Sequence, residues 1–169
     1  LKHDLGKEEE QARLYTAGRK AFYDKFHVDP WGTGFCFDPV LFDQWKIDRK
    51  DNACVLGINC GLGSNSLKVK EILREKGTHD VILYNCVQDQ RYLRDLRGVS
   101  DKAFLFENLQ DLVRLTGRSH YNYIVIEDSI SEITPDSLLQ ELEKAGLEFN
   151  ELAYKMPDGT WKIVVKPKR

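Results

Sequence analysis

The stretch that decides the fold is Ala53–Ser66, "ACVLGINCGLGSNS". A short apolar run, Ala53 to Asn59, leads into a loop with glycines at Gly57, Gly61 and Gly63. A helical pattern follows, with Ser64 or Asn65 as its expected N-cap, and continues to about Glu75, where Gly77 stops it. Strand, glycine loop and helix in this order make the first unit of an alternating α/β chain, because glycine lets the backbone turn tightly and lets a ligand approach it.

The alternation continues outward. Val81–Val87 reads as a second strand, Asp89–Leu96 as a short charged helix stopped at Gly98, and Ala103–Phe106 as a third strand. Leu109–Leu115 is a helix ended by Gly117, and Tyr121–Ile126 is a β-branched fourth strand. Thr134-Pro135 opens a further helix, with proline at its first position, that runs to Gly146. Glu148–Lys155 and Thr160–Lys166 then flank Pro157-Asp158-Gly159, an Asp-Gly turn that predicts an antiparallel hairpin. The expected fold class is α/β: a Rossmann-like, doubly wound, mostly parallel sheet with a C-terminal antiparallel hairpin.

Residues 1–52 form the lead-in. Leu14, Ala17, Ala21, Phe22 and Phe26 recur at helical spacing between Glu8 and Phe26, predicting an N-terminal amphipathic helix. Asp29-Pro30 breaks that pattern. An aromatic loop follows, with Trp31, Phe35, Phe37, Phe42 and Trp45 close together and a short helix expected after Asp38-Pro39. Aromatics at this density suit core packing, a lid over a ligand, or a docking surface for a protein partner, and these five are the candidate partner-binding residues. Residues 53–169 are the Rossmann-like domain, and the two parts are expected to form one structural unit.

The 169 residues suffice for one core, and 41% hydrophobic with 31% charged is ordinary for a soluble protein. The formal charge of −2 gives no global reason to expect nucleic acid, and only Lys162, Lys166, Lys168 and Arg169 form a locally basic end. No apolar run is long enough to span a membrane. Cys36, Cys54, Cys60 and Cys86 form no CxxC pair, and the four histidines have no i, i+4 partner, so no metal site is expected. This usage points to an intracellular, reducing compartment, without distinguishing cytoplasm, nucleus or mitochondrion. A start on Leu1 rather than methionine suggests trimming or processing, including removal of an organelle-targeting segment.

In an open α/β sheet a ligand sits at the carboxyl ends of the strands, over the first strand–helix loop. That loop here lacks the third glycine of G-x-G-x-x-G and has no G-x-x-x-x-G-K-[ST], which disfavours a dinucleotide site and excludes a P-loop. "VLGINCGLGSNS", Val55–Ser66, does resemble the "VLDIGCGTGxxS" pattern of class I S-adenosylmethionine-dependent methyltransferases. The resemblance extends through "VILYNC" at the second strand, "FLFENLQDL" after the third, "YNYIVIEDSIS" at the fourth and the terminal hairpin. It implies a cofactor site built from Gly57, Asn59, Gly61, Gly63, Asn85 and Glu107, with Asp111 a turn beyond Glu107, and S-adenosylmethionine as the cofactor.

The departures are specific. Gly57 stands where the family carries an acid, Asn59 where it carries the first loop glycine, and Asn85 where it places the ribose-binding acid. The chain is also shorter by one strand–helix unit before the hairpin. An amide in place of a carboxylate forfeits a charge-assisted bond, about 1–2 kcal/mol, and two such losses weaken binding on the order of a hundredfold. The favoured expectation is therefore a methyltransferase-like domain that has lost catalysis, a pseudoenzyme serving as a structural or regulatory subunit of a larger intracellular assembly, with side chains around Asn59 and Leu62 filling the cofactor seat. An active methyltransferase with an atypical cofactor site, and a Rossmann-like domain for another nucleotide, are the alternatives. Glu127 and Asp128, ending the fourth strand, are candidates for general-base catalysis, beside the simpler reading of Asp128 or Ser129 as a turn cap. Cys60 reads either as a thiolate activated at a helix N-terminus or as a packed thiol.

Overall fold

The computed structural model describes residues 37–166, so the amphipathic helix expected at Glu8–Phe26, Trp31, Phe35 and Cys36, and the last basic residues, lie outside the described part. The first turn of the described residues is set by Asp38. Its carboxylate accepts from the Val40 N–H and, with Pro39 at the first helical position, starts the short helix α1, Pro39–Gln44.

The remaining elements alternate: β1 Asn52–Ile58, α2 Ser64–Glu75, β2 Asp80–Val87, a 3₁₀ turn Gln90–Tyr92 leading into α3 Leu93–Val99, β3 Lys102–Leu105, α4 Gln110–Thr116, β4 His120–Ile126, a 3₁₀ turn Pro135–Ser137 before α5 Leu138–Lys144, then β5 Glu148–Lys155 and β6 Trp161–Val165. The sheet order is β3-β2-β1-β4-β5-β6, parallel throughout except for antiparallel β5 and β6. This is a Rossmann-like, mostly parallel α/β arrangement ending in the expected hairpin. The hairpin turn is held by Asp158, whose Oδ1 accepts from the Thr160 N–H at 2.9 Å, and by Gly159 at φ 90°.

Two details depart from the local sequence signals. Gly98 lies inside α3 rather than ending it, since the helix runs on to Val99. At the start of α2 the N-cap is Gly63, φ 85°, with no side-chain cap. Neither Ser64 nor Asn65 caps the helix, and Asn65 and Ser66 instead point inward and are buried.

Two apolar layers sandwich the sheet. On one face Leu56, Ile58, Ile124 and Ile126 pack with Leu112, Leu138 and Leu142 of α4 and α5. On the other, Val55, Leu83, Val125 and Ala153 meet Leu67, Val69 and Leu73 of α2, together with Leu41, Trp45 and Ile47 of the lead-in. Near-continuous apolar strands are what a sheet covered on both faces requires. The two-faced cover leaves the carboxyl ends of β1, β2 and β4 as the place where loops and polar side chains converge.

Trp45 corrects the docking reading for its own position. It is 3% exposed, stands edge-on to Tyr123 with ring centroids 5.9 Å apart, and donates its indole N–H to Glu151 Oε1. A tryptophan with its apolar body in the core and its one donor satisfied is a packing residue. Phe42 stacks on Trp45 and meets Phe37 edge-on, and both phenylalanines are half-buried.

Candidate functional site

An open cleft of about 1300 Å³ lies at the carboxyl ends of the strands. Asn59 and Gly61 reach it from the glycine loop, Gln88 to Tyr92 from beyond β2, Glu127 to Ser131 from beyond β4, and Tyr154 to Gly159 from the hairpin.

Asn59 is the junction of this site. Its backbone is left-handed, φ 52°, a conformation asparagine tolerates better than most residues. Its N–H donates to the Cys86 carbonyl of β2, and its own carbonyl accepts from the Asp128 N–H beyond β4. The side chain repeats that bridge: Nδ2 donates to Gln88 Oε1 and to the Ser129 carbonyl, both at 3.0 Å, and Oδ1 accepts from the Gln88 N–H at 2.9 Å. Gln88 carries the connection further, because its Oε1 also accepts from the Ser131 N–H and its Nε2 donates to the Glu107 carbonyl. The two amides thus clasp the ends of β1, β2 and β4 and the loop after β3.

Gly57 and Asn85 meet beneath the loop. They are paired in register across β1 and β2, and a Cβ on Gly57 would lie 2.1 Å from Asn85 Oδ1. Asn85 is 1% exposed, accepts from Ser66 Oγ at 2.9 Å and donates to Ser100 Oγ at 2.7 Å. Gly63 is confined less tightly, since a Cβ there would meet the Leu96 side chain at 2.8 Å.

Of the residues singled out from sequence, Asn59, Gly61, Glu127 and Asp128 line the cleft. Gly57, Gly63 and Asn85 lie below it. Glu107 is exposed, and its recorded contact with the cleft network is its carbonyl on Gln88. Leu62 packs half-buried against the core on the α2 side rather than into the cleft. Cys60 is buried, its thiol donating to the Val125 carbonyl at 3.2 Å, and burial together with the nearby Glu127 charge pushes its pKa well above the ordinary thiol value. It is therefore a packed thiol.

Glu127 is half-buried and accepts from Asn65 Nδ2 at 3.0 Å. Burial raises its pKa to about 7; Lys155 and the Asn65 bond oppose the shift, while Asp128 and Asp38 add to it. A carboxyl poised near neutrality in a cleft can take up or release a proton there. Asp128 is exposed, and its Oδ1 accepts from the adjacent Ser129 N–H at 2.9 Å.

Gln88 is the site residue that sequence reasoning missed. It directly follows the last residue of β2, and a residue just beyond a parallel strand's carboxyl end faces the ligand crevice. That positional rule was the available signal. Among the described residues no group of three His, Cys, Asp or Glu side chains is arranged to hold a metal, and no helix is long and apolar enough to cross a membrane.

No family model and no curated protein matches the chain. Solved structures similar to it include a fibrillarin/Nop5p complex, at TM-score 0.46 and 12% identity, covering 68% of this chain and 54% of that one. A SAM dependent methyltransferase from Archaeoglobus fulgidus superposes at TM-score 0.42 and 13% identity over 92% of this chain and 59% of its own. TrmN from Thermus thermophilus does so at TM-score 0.41 and 18% identity over 63% of this chain and 33% of its own. The chain therefore spans between a third and three-fifths of the length of these structures, and its fold assignment stands on the strand order and hairpin described above.

Proposed function

We propose that this chain is a methyltransferase-like module that no longer carries out methyl transfer and that serves as a structural or regulatory part of a larger assembly. The observation that carries the reading is the clasp of Asn59 on Gln88 and Ser129. The loop position that the resembling family leaves as glycine, so that a ligand can lie against the backbone, holds here a buried side chain with its polar atoms engaged. Asn85 likewise fills the space at Gly57 and spends its amide on Ser66 and Ser100. Polar groups already satisfied within the protein gain little from a new partner, because binding only exchanges one hydrogen bond for another.

A second reading, an active S-adenosylmethionine-dependent methyltransferase with an atypical cofactor site, is favoured by a different observation. The cleft remains open, and Glu127 within it is a carboxyl able to act as a general base near neutral pH.

Calorimetric titration of the protein with S-adenosylmethionine and S-adenosylhomocysteine separates the two. The pseudoenzyme reading expects no saturable heat up to millimolar ligand. Micromolar binding that is weakened in Gly61→Ala, at the glycine that lines the cleft, overturns it and directs the search to a methyl acceptor.

A further inference from the structure

Asn65 stands in the first turn of α2, 2% exposed, and caps nothing. Its amide instead joins two distant segments. Oδ1 accepts from the Asp38 N–H at 2.7 Å, and Nδ2 donates to Glu127 Oε1 at 3.0 Å. Asp38 in turn anchors the lead-in: one carboxylate oxygen caps α1 through the Val40 N–H, and the other accepts from the Trp161 indole N–H of β6 at 2.9 Å. Trp161, Asp38, Asn65 and Glu127 thus form a hydrogen-bonded rail from the last strand, across the Asp38 turn, to the carboxylate in the cleft.

We propose that this rail couples the charge on Glu127 to the anchoring of the lead-in turn at Asp38, so that a proton or cation arriving in the cleft is reported at the turn that opens α1. The coupling is independent of whether the cleft holds a cofactor. The physical ground is the shared amide. An ionised Glu127 orients Asn65 through a charge-assisted bond, roughly twice as strong as a neutral one, and so presents Oδ1 squarely to the Asp38 N–H. Neutralising Glu127 weakens that hold.

The other groups acting on Glu127 are Lys155 from β5, Asp128 beside it and Asp38 itself, while Glu127 in turn raises the pKa of the neutral Cys60 thiol of the glycine loop. Repulsion between Asp38 and Glu127 acts against the coupling, and it is the smallest of the influences on Glu127, below that of the Asn65 bond. Linkage is reciprocal, so a weakened anchor must make Glu127 harder to ionise.

The test is an NMR pH titration of the full chain that follows the Trp161 indole N–H and the Glu127 carboxyl carbon together. The expected result is a step in the indole resonance with the Glu127 midpoint, absent in Glu127→Gln. In Trp161→Phe, which keeps an aromatic ring and removes only the donor, the Glu127 midpoint rises. In Asn65→Ser, whose side chain is too short to span both partners, Glu127 still titrates but the indole step disappears. An indole resonance that is flat through the Glu127 titration, a step that survives in Glu127→Gln or Asn65→Ser, or a Glu127 midpoint that stays or falls in Trp161→Phe would each overturn the proposal.

Discussion

Replacing Asn59 with glycine separates two explanations for an asparagine in a left-handed turn. If Asn59 is there only because asparagine tolerates φ 52°, Asn59→Gly is neutral or stabilising, since glycine adopts that conformation freely. If the clasp is the reason, the substitution removes the side-chain bonds to Gln88 Oε1, the Ser129 carbonyl and the Gln88 N–H. At about 1 kcal/mol for each hydrogen bond the gross loss is about 3 kcal/mol. Water entering from the open cleft re-satisfies part of it, leaving a net destabilisation of about 2 kcal/mol. For a domain of this size that corresponds to a fall of about 4–8 °C in Tm. Urea unfolding followed by tryptophan fluorescence reads the change as a lower midpoint at constant slope. Asn59→Asp, which sets a carboxylate oxygen against the Gln88 Oε1 and the Ser129 carbonyl where the donor stood, should be at least as destabilising as Asn59→Gly. An Asn59→Gly protein as stable as wild type, or more so, refutes the clasp.

Three other outcomes are expected. Because the folded state holds the Glu127 proton up to about pH 7 whereas an unfolded glutamate releases it near its ordinary value of 4.5, stability from this group is intact in acid, declines as pH rises between those values and is lost above them. Glu127→Gln should therefore flatten that decline and stabilise the protein at pH 8 by on the order of 2–3 kcal/mol, measured by urea midpoints across pH; an unchanged pH profile would show that Glu127 is not perturbed. Gly57→Ala should cost about 2 kcal/mol or more through collision with Asn85, and much less when combined with Asn85→Ala, a non-additivity that a double-mutant cycle in urea detects; additive losses would place the clash elsewhere. Cys60 should resist iodoacetamide at neutral pH in the native protein and react once urea unfolds it, as peptide mass mapping would show; rapid native labelling would restore the thiolate reading.

Much of the architecture was legible from the chain because strands and helices here are local events. Apolar runs of strand length, glycines at helix ends and an Asp-Gly turn between two strand patterns placed every element from α1 to β6 to within a few residues. The proline after Asp38 and the one after Thr134 marked helix starts for the same reason: a fixed φ and a missing N–H suit the first turn. Helix starts at glycine were less legible, as α2 shows, because a left-handed Gly63 leaves no side-chain signature.

The candidate site was legible only as a place. The sequence by itself determined that a glycine loop would lie at the carboxyl end of the first strand and that Glu127 would end the fourth. What Asn59 and Asn85 do there was decided by register and face, which only the assembled sheet supplies. Alternation along β2 turns Asn85 under α2 onto Ser66 and Ser100, whereas Gln88, one residue past the strand, faces the cleft. The partners of Asn59 are 29 and 70 residues away, and no local pattern encodes contacts at that separation. Trp45 illustrates the same limit: an aromatic-rich segment looks alike whether it packs inward or waits for a partner, and the difference is made by Tyr123 and Glu151 on strands that meet it only in the folded protein.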